Sequence, residues 1–371
     1  MGETQKPKVH SVAIELTAYC NQKCTYCYNP WREDNGGSLD KTTGEQLLAR
    51  CDKLLDAFEI DHVTITGGEP FSRAEVWPLL ERFSSAGVGV QIISNGGLIT
   101  ERIAERLAPH DVRYVQITLN GPDAELHEEH VGEGHFDKTI RGIEALRAVG
   151  VPVVGCVVVT RKNAPVLDAI LARFAELGVR QNALSRFSPA GYAVEHAASL
   201  LPSRGDLMEA FGQALPWARD HGMHISCTMP VPPCMLETAD YAPMQFGHCP
   251  IGTSMQELAL GPDGKLKNCT LHDTAIGGVQ DILDDGVELP ALLEAPEITA
   301  YRSQLPAFCE GCLHAPTCGG GCGAAAQWML GLRDDKRLPD PVLWQHVDDD
   351  FEQRLERERQ AGGRRRLEVV G

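Results

Sequence analysis

Between residues 11 and about 188, short runs rich in Val, Ile and Thr alternate with stretches of helical periodicity, and few folds accept that order. The strand candidates are 11–17, 62–67, 88–95, 112–120, 151–160 and 181–187, bounded by Gly, Pro or Asn. Between them lie amphipathic patterns such as 45–58, where Leu47, Leu48, Cys51, Leu54, Leu55 and Phe58 line one face. Cys51 therefore reads as a packing residue. Alternating β and α units predict a parallel sheet or barrel with its site at the C-terminal ends of the strands. A chain of 371 residues has room for a second, smaller unit beside it.

That unit begins where the rhythm breaks. The expected division is a core barrel over 8–190, a bridging segment over 191–245, a Cys-rich domain over 246–335, and a C-terminal helix and tail over 336–371. The stretch from Cys249 to Cys322 is rich in Gly and Cys and poor in apolar residues, so it needs a staple, and metal is the expected one. The polar helix DDDFEQRLERERQ and the basic GGRRRLEVVG that follows read as solvated surface. Asp and Glu outnumber Lys and Arg by 51 to 34, a net charge of −17 that argues against a nucleic-acid groove. The opening MGETQKPKVH lacks the apolar core of a secretory signal, and no run approaches a membrane span. The expectation is a cytoplasmic protein without membrane partners, whose 13 cysteines serve metal rather than disulfides.

Cys20, Cys24 and Cys27 stand at C-x3-C-x2-C in YCNQKCTYCYNP. Three thiols are too many for one disulfide and one short of a four-thiolate metal site. A later series runs Cys249, Gly264, Cys269, then Cys309-x2-Cys312-x5-Cys318-x3-Cys322. Taken alone, paired C-x2-C spacing is the ordinary signature of tetrahedral zinc, and the same thiolates also hold four-iron clusters. The N-terminal triplet separates the two readings, because a four-iron cluster on three thiolates keeps one iron open for a chelating small molecule.

With Tyr26 before its last cysteine and a strand before its first, the triplet resembles the signature of radical S-adenosylmethionine (SAM) enzymes. The resemblance implies a partial (β/α)6 barrel, and a cluster on Cys20, Cys24 and Cys27 whose open iron binds SAM. Cleavage of SAM then yields a 5′-deoxyadenosyl radical that abstracts hydrogen. Thr66-Gly67-Gly68-Glu69-Pro70 resembles the family's GGEP turn, which meets the SAM amino group. Its glycines permit close backbone approach, and Glu69 is a carboxylate able to accept from an ammonium. Ser94, Asn95 and Asn120, at the ends of strands three and four, look like the ribose contacts. Arg186, ending strand six, looks like the basic residue that faces the SAM carboxylate.

The later series resembles the SPASM extension with two auxiliary four-iron clusters, and the resemblance covers about 320 of the 371 residues. It implies that Cys249, Cys269 and Cys322 hold the first, with Cys234 as fourth ligand, and that Cys309, Cys312 and Cys318 hold the second. The chain departs from the family pattern at two points. No cysteine follows Cys322, so the second cluster lacks its usual last thiolate, leaving Asp340, His346 or an open iron. Where sulfatase maturases of the family carry a basic Asp after the G-x4-C cysteine, this chain has Thr270, with His272 and Asp273 beyond. Formylglycine formation is thereby disfavoured.

The expected function is oxidative modification of a ribosomally made peptide by crosslinking, decarboxylation or dehydrogenation, similar to the maturases of pyrroloquinoline quinone and mycofactocin precursors. The resemblance also implies a flavodoxin- or ferredoxin-like electron donor. Since the first strand begins near residue 10, a leader peptide is expected to need a separate binding protein. Cys156, mid-strand and at the parity of Thr160, is either a buried small residue or a hydrogen donor to a substrate radical. Cys227 reads as structural. The same chemistry on a sugar or aminocyclitol is the alternative, and a zinc-stapled binding protein the remote one.

Overall fold

Strand β1 (Lys8–Glu15) sets the pattern of the whole fold: Val12 and Ile14 are fully buried in the apolar core, whereas Ser11 and Ala13 line an interior cavity. A period of two puts alternate residues on opposite faces of a strand, so one face meets helices and the other the barrel axis. The pattern recurs in β2 (Glu59–Thr66), with Val63 and Ile65 against the helices and Thr64 and Thr66 inward. It recurs again in β4 (Val112–Thr118), where Val115 and Ile117 alternate with inward Gln116 and Thr118.

The computed structural model describes residues 6–32, 42–330 and 338–347. β1 and β2 are followed in the parallel sheet by β3 (Gly89–Ser94), β4, β5 (Val153–Val159) and β6 (Gln181–Arg186). The helices that cross between them are α1 (Gly44–Ala57), α2 (Val76–Ser85), α3 (Glu101–Leu107), α4 (Ala124–Val131), α5 (Phe136–Ala148) and α6 (Leu167–Glu176). All six predicted strands and the predicted helix over 45–58 are present. Thr43 and Gln46 close a reciprocal capping box at the start of α1, satisfying two otherwise orphan amides. Cys51 is fully buried on its core face, and Cys227 is 1% exposed in the same core.

The sheet extends past both ends of the six-strand set. β7 (His224–Cys227) pairs parallel with β6 and carries β8 (Gln245–Phe246), while β9 (Glu257–Leu260) pairs parallel with β1 and carries the antiparallel β10 (Leu266–Lys267). One ten-stranded sheet thus runs across residues 190 and 245. These additions are two to four residues long, too short for any hydrophobic period to announce them. A buried ion pair, Lys267 Nζ to Glu15 Oε2 at 2.6 Å, ties β10 to β1. Arg50 on α1 pairs with Asp281 beyond β10. The Cys-rich segment is thereby locked to the barrel by charge pairs that are costly to leave half-made. No helix among the described residues is long and apolar enough to cross a membrane. The sequences DDDFEQRLERERQ and GGRRRLEVVG lie outside the described residues.

Candidate active site

The loop after β1 carries Cys20, Cys24 and Cys27 and is pinned on three sides. The Lys23 and Thr25 amides donate to the Val131 and His130 carbonyls at the end of α4, at 3.2 and 2.9 Å. Asn29 Nδ2 donates to the Gly67 carbonyl at 3.0 Å, and the Ala193 amide to the Cys27 carbonyl at 2.9 Å. None of the 13 cysteines is in a disulfide. Burial pushes the Cys20 thiol up to about 12, and charge on Cys27 adds to it. Cys24 and Cys27 are raised by burial as well, Cys24 also by charge on the other two. Three desolvated thiols within electrostatic reach of one another keep their protons unless a cation offsets the cost, so this donor set fits a three-thiolate metal cluster.

Beside the triplet, the turn after β2 is pressed against the turn after β1. The Gly68 amide donates to the Thr17 carbonyl at 2.7 Å, and a Cβ on Gly68 would lie 1.9 Å from the Tyr19 carbonyl oxygen. Gly67 has φ +115°. The two glycines thus let the turn after β2 meet the turn after β1. Glu69 is fully buried and its oxygens accept from Phe71 N, Ser94 Oγ and Asn95 N at 3.2, 2.8 and 2.9 Å. Its carboxylate therefore fastens the end of β3 to the turn after β2. Burial raises its pKa to about 7, against those hydrogen bonds. Pro70 opens a short 3-10 turn and is buried.

A cavity of about 490 Å3 opens over these groups, within the range of small-ligand sites. Its wall brings together Cys20, Cys24, Cys27, Tyr26, Gly67, Gly68, Ser94, Asn95, Cys156 and Arg186, most of the residues that the sequence singles out. Asn95 Nδ2 also reaches Asn21 Oδ1 at 2.8 Å and Cys20 Sγ at 3.7 Å. Cys156 points inward, as its parity with Thr160 allowed. It is 4% exposed, and burial pushes its thiol up to about 12 despite a hydrogen bond with Thr118. The sequence reading overlooked Gln116, Thr118 and Gln91, whose inward positions were legible from the polar–apolar alternation of their strands. Thr270 and Leu271, from the Cys-rich segment, close another part of the wall.

Two of the expected contacts also have partners inside the protein. Asn120 is fully buried behind the wall: its Oδ1 accepts from Val158 N at 2.8 Å, and its own amide donates to His127 Nδ1 at 3.1 Å. It clamps β4 to β5 and does not border the cavity. Arg186 does border it, but the carboxylate that it faces is Asp340, with Pro230 O at 2.6 Å and Ser188 Oγ at 2.9 Å taking its other donors. His127 bears on stability in a testable way, since burial lowers its pKa from 6.5 to about 4. A depressed histidine stabilises the native state above its unfolded pKa and loses that contribution as pH falls through the folded one. We expect His127→Leu to cost about 1–3 kcal/mol at neutral pH by orphaning the Asn120 amide. The variant should also lose part of the decline in melting temperature that the parent shows between pH 6.5 and about 4. A thermal melt series over that range checks both.

The remaining cysteines fall into two groups. Cys249, Cys269 and Cys322 lie within mutual electrostatic reach: burial raises Cys269 to about 12 with Cys322 and Cys249 adding to it, and Cys322 to about 11 with Cys249 among its neighbours. The Leu271 and Ala325 amides point at the Cys269 and Cys322 sulfurs at 3.4 and 3.5 Å, the kind of N–H···S contact that surrounds ligating thiolates. Cys309, Cys312 and Cys318 form the second group. Burial raises the Cys234 thiol, with charge on Cys318 and Cys312 adding to it. Asp340 is fully buried and spent, accepting from Arg186, from Cys322 N at 2.6 Å and from Val342 N at 3.0 Å. It anchors Arg186 and the Cys322 and Val342 amides. The His346 side chain lies outside the described residues.

The radical SAM superfamily model matches residues 14–181. Mycofactocin maturase MftC of Mycobacterium tuberculosis is 30% identical over 350 residues, covering 88% of this chain and 81% of its own. PqqA peptide cyclase of Ruegeria pomeroyi is 27% identical over 343 residues, covering 92% of this chain and 88% of its own. Among solved structures, Streptococcus suis SuiB bound to S-adenosylmethionine superposes with a TM-score of 0.68 at 16% identity, covering 90% of this chain and 77% of its own. That last likeness is one of fold.

Proposed function

Because this chain belongs to the radical SAM superfamily, we propose that it is an oxidoreductase that cleaves SAM reductively and oxidatively modifies a ribosomally made peptide, by crosslinking, decarboxylation or dehydrogenation. The observation that carries the reading is the single cavity into which Cys20, Cys24 and Cys27 open together with Gly67, Gly68, Ser94 and Asn95. When bound, the cluster and SAM supply one electron and a hydrogen-abstracting carbon radical. The chain's own part is to hold and screen them. The three thiols hold the cluster, while the backbone of Gly67 and Gly68 and the polar groups of Ser94 and Asn95 line the wall where SAM would be oriented.

The peptide substrate is supported by relatives of similar length, among them the PqqA peptide cyclase. Thr270 and Leu271 at the wall bring the Cys-rich segment to the substrate space, where two auxiliary clusters can take up the second electron of an oxidation. Cys156, protonated and inward, is available as a hydrogen donor. A flavodoxin- or ferredoxin-like donor, a separate leader-binding protein and a cytoplasmic setting complete the proposal. The test is incubation of the anaerobically reconstituted protein with SAM, reductant and a short peptide encoded beside its gene, followed by mass spectrometry. A loss of two hydrogens or of carbon dioxide is expected. Formation of 5′-deoxyadenosine with a chemically unaltered peptide overturns the assigned substrate.

A further inference from the structure

We infer that His10, Asp61 and His62 form a binding site for one divalent metal ion of the zinc class, at the end of the barrel opposite the cysteine loop. His10 is the third residue of β1, and Asp61 and His62 are the third and fourth of β2. The two strands run parallel with Ser11 opposite His62, so their register brings the three side chains together. The Cys20–Cys27 loop leaves β1 beyond Glu15. Five residues of strand at about 3.3 Å each put roughly 17 Å between that end and His10. The site is therefore separate from the cysteine sets.

One oxygen of Asp61, Oδ2, lies 3.5 Å from His10 Nδ1 and 3.7 Å from His62 Nδ1, and each of the three residues offers a ligand atom within 4.8 Å of the others. Both nitrogen–oxygen distances exceed the usual hydrogen-bond range. Two ligands each ~2.1 Å from a tetrahedral ion, by contrast, stand about 3.4 Å apart. The imidazole rings meet edge to face, with centroids 5.0 Å apart and an interplanar angle of 86°. His62 Nδ1 is buried and has no hydrogen-bond partner among the described residues, a cost that a coordinated cation removes. Arg113 Nη2 donates to the Asp61 carbonyl at 3.4 Å and fixes the backbone that carries two adjacent ligands. The side chains of His10, Asp61 and His62 are 27%, 43% and 12% exposed, so an ion can enter from solvent. Two imidazoles with one carboxylate suit zinc-class ions, whereas calcium and magnesium prefer oxygen alone. His62 also lines the cavity, beside Ser11 and Glu257. The ion thus clasps β1 to β2 at the floor of that cavity.

The test gives zinc chloride alone to the anaerobically reconstituted, desalted full chain and counts zinc and iron by elemental analysis. The parent is expected to hold about one zinc per chain that Asp61→Asn and the His10→Ala/His62→Ala double variant do not hold, with equal iron in all three. Zinc affinity in these variants should fall about ten-fold or more. Zinc should also raise the melting temperature of the parent and leave that of Asp61→Asn where it was. His10→Gln keeps side-chain bulk while removing the ligating ring, so it should lose the zinc with its iron count unchanged. Zinc bound equally by parent and variants is held by cysteines and overturns the site. A parent that takes up no zinc, or whose melting temperature responds to zinc no more than that of Asp61→Asn, overturns it as well.

Discussion

Cys24→Ala is expected to reduce formation of 5′-deoxyadenosine from SAM to the level of a protein-free control. Of the triplet, Cys24 is the thiol whose pKa is raised by both of the others after burial, so it sits in reach of both partners. With two thiols left, a cluster has no stable three-point hold. Cys51→Ala is the matched control: its sulfur packs in the core face of α1, so the variant should lose some stability to a small cavity and keep product formation. Chromatographic assay of 5′-deoxyadenosine after reductant addition reads both. Undiminished product from Cys24→Ala means that the radical-generating cluster is held elsewhere.

The second large effect belongs to a residue remote from the triplet. Asp340→Ala should destabilise the fold by about 3–5 kcal/mol, the usual cost of removing one member of a buried ion pair. Arg186 and Asp340 both have fully buried side chains, so the guanidinium left behind cannot recruit bulk water. The substitution also strands the Cys322 and Val342 amides. Asp340→Asn should cost less than alanine, because its one side-chain carbonyl still accepts from one of those amides while the charge is lost. Chemical denaturation of the two variants, with iron counted in each, reads the difference. A change below about 1 kcal/mol in Asp340→Ala would mean that Arg186 has a second anionic partner.

Much of the barrel was legible because its six main strands are long enough to show Val/Ile-rich runs between turn residues, and because helices such as α1 keep an apolar face. The four short strands beyond it were not. β8 and β10 are two residues each, β8 held by its register on β7 and β10 by the Glu15–Lys267 pair as well, rather than by a pattern. At the site, spacing alone brought Cys20, Cys24 and Cys27 to one place, and the turn residues Gly67 and Gly68 to the strand end beside them. The fate of buried polar side chains was another matter. Asn120, Glu69 and Arg186 all sit at strand ends, as expected, but each has been claimed by internal partners.

The linear chain thus determined the class of fold and the meeting of Cys20, Cys24 and Cys27, because strand period, helix period and cysteine spacing are local properties. It could not pair groups that are far apart along the chain. Arg186 meets Asp340 across 154 positions, and Glu15 meets Lys267 across 252. Only the tertiary structure decides which charges neutralise each other in the core, because a buried charge accepts whatever partner the packing delivers, and no periodicity records that choice.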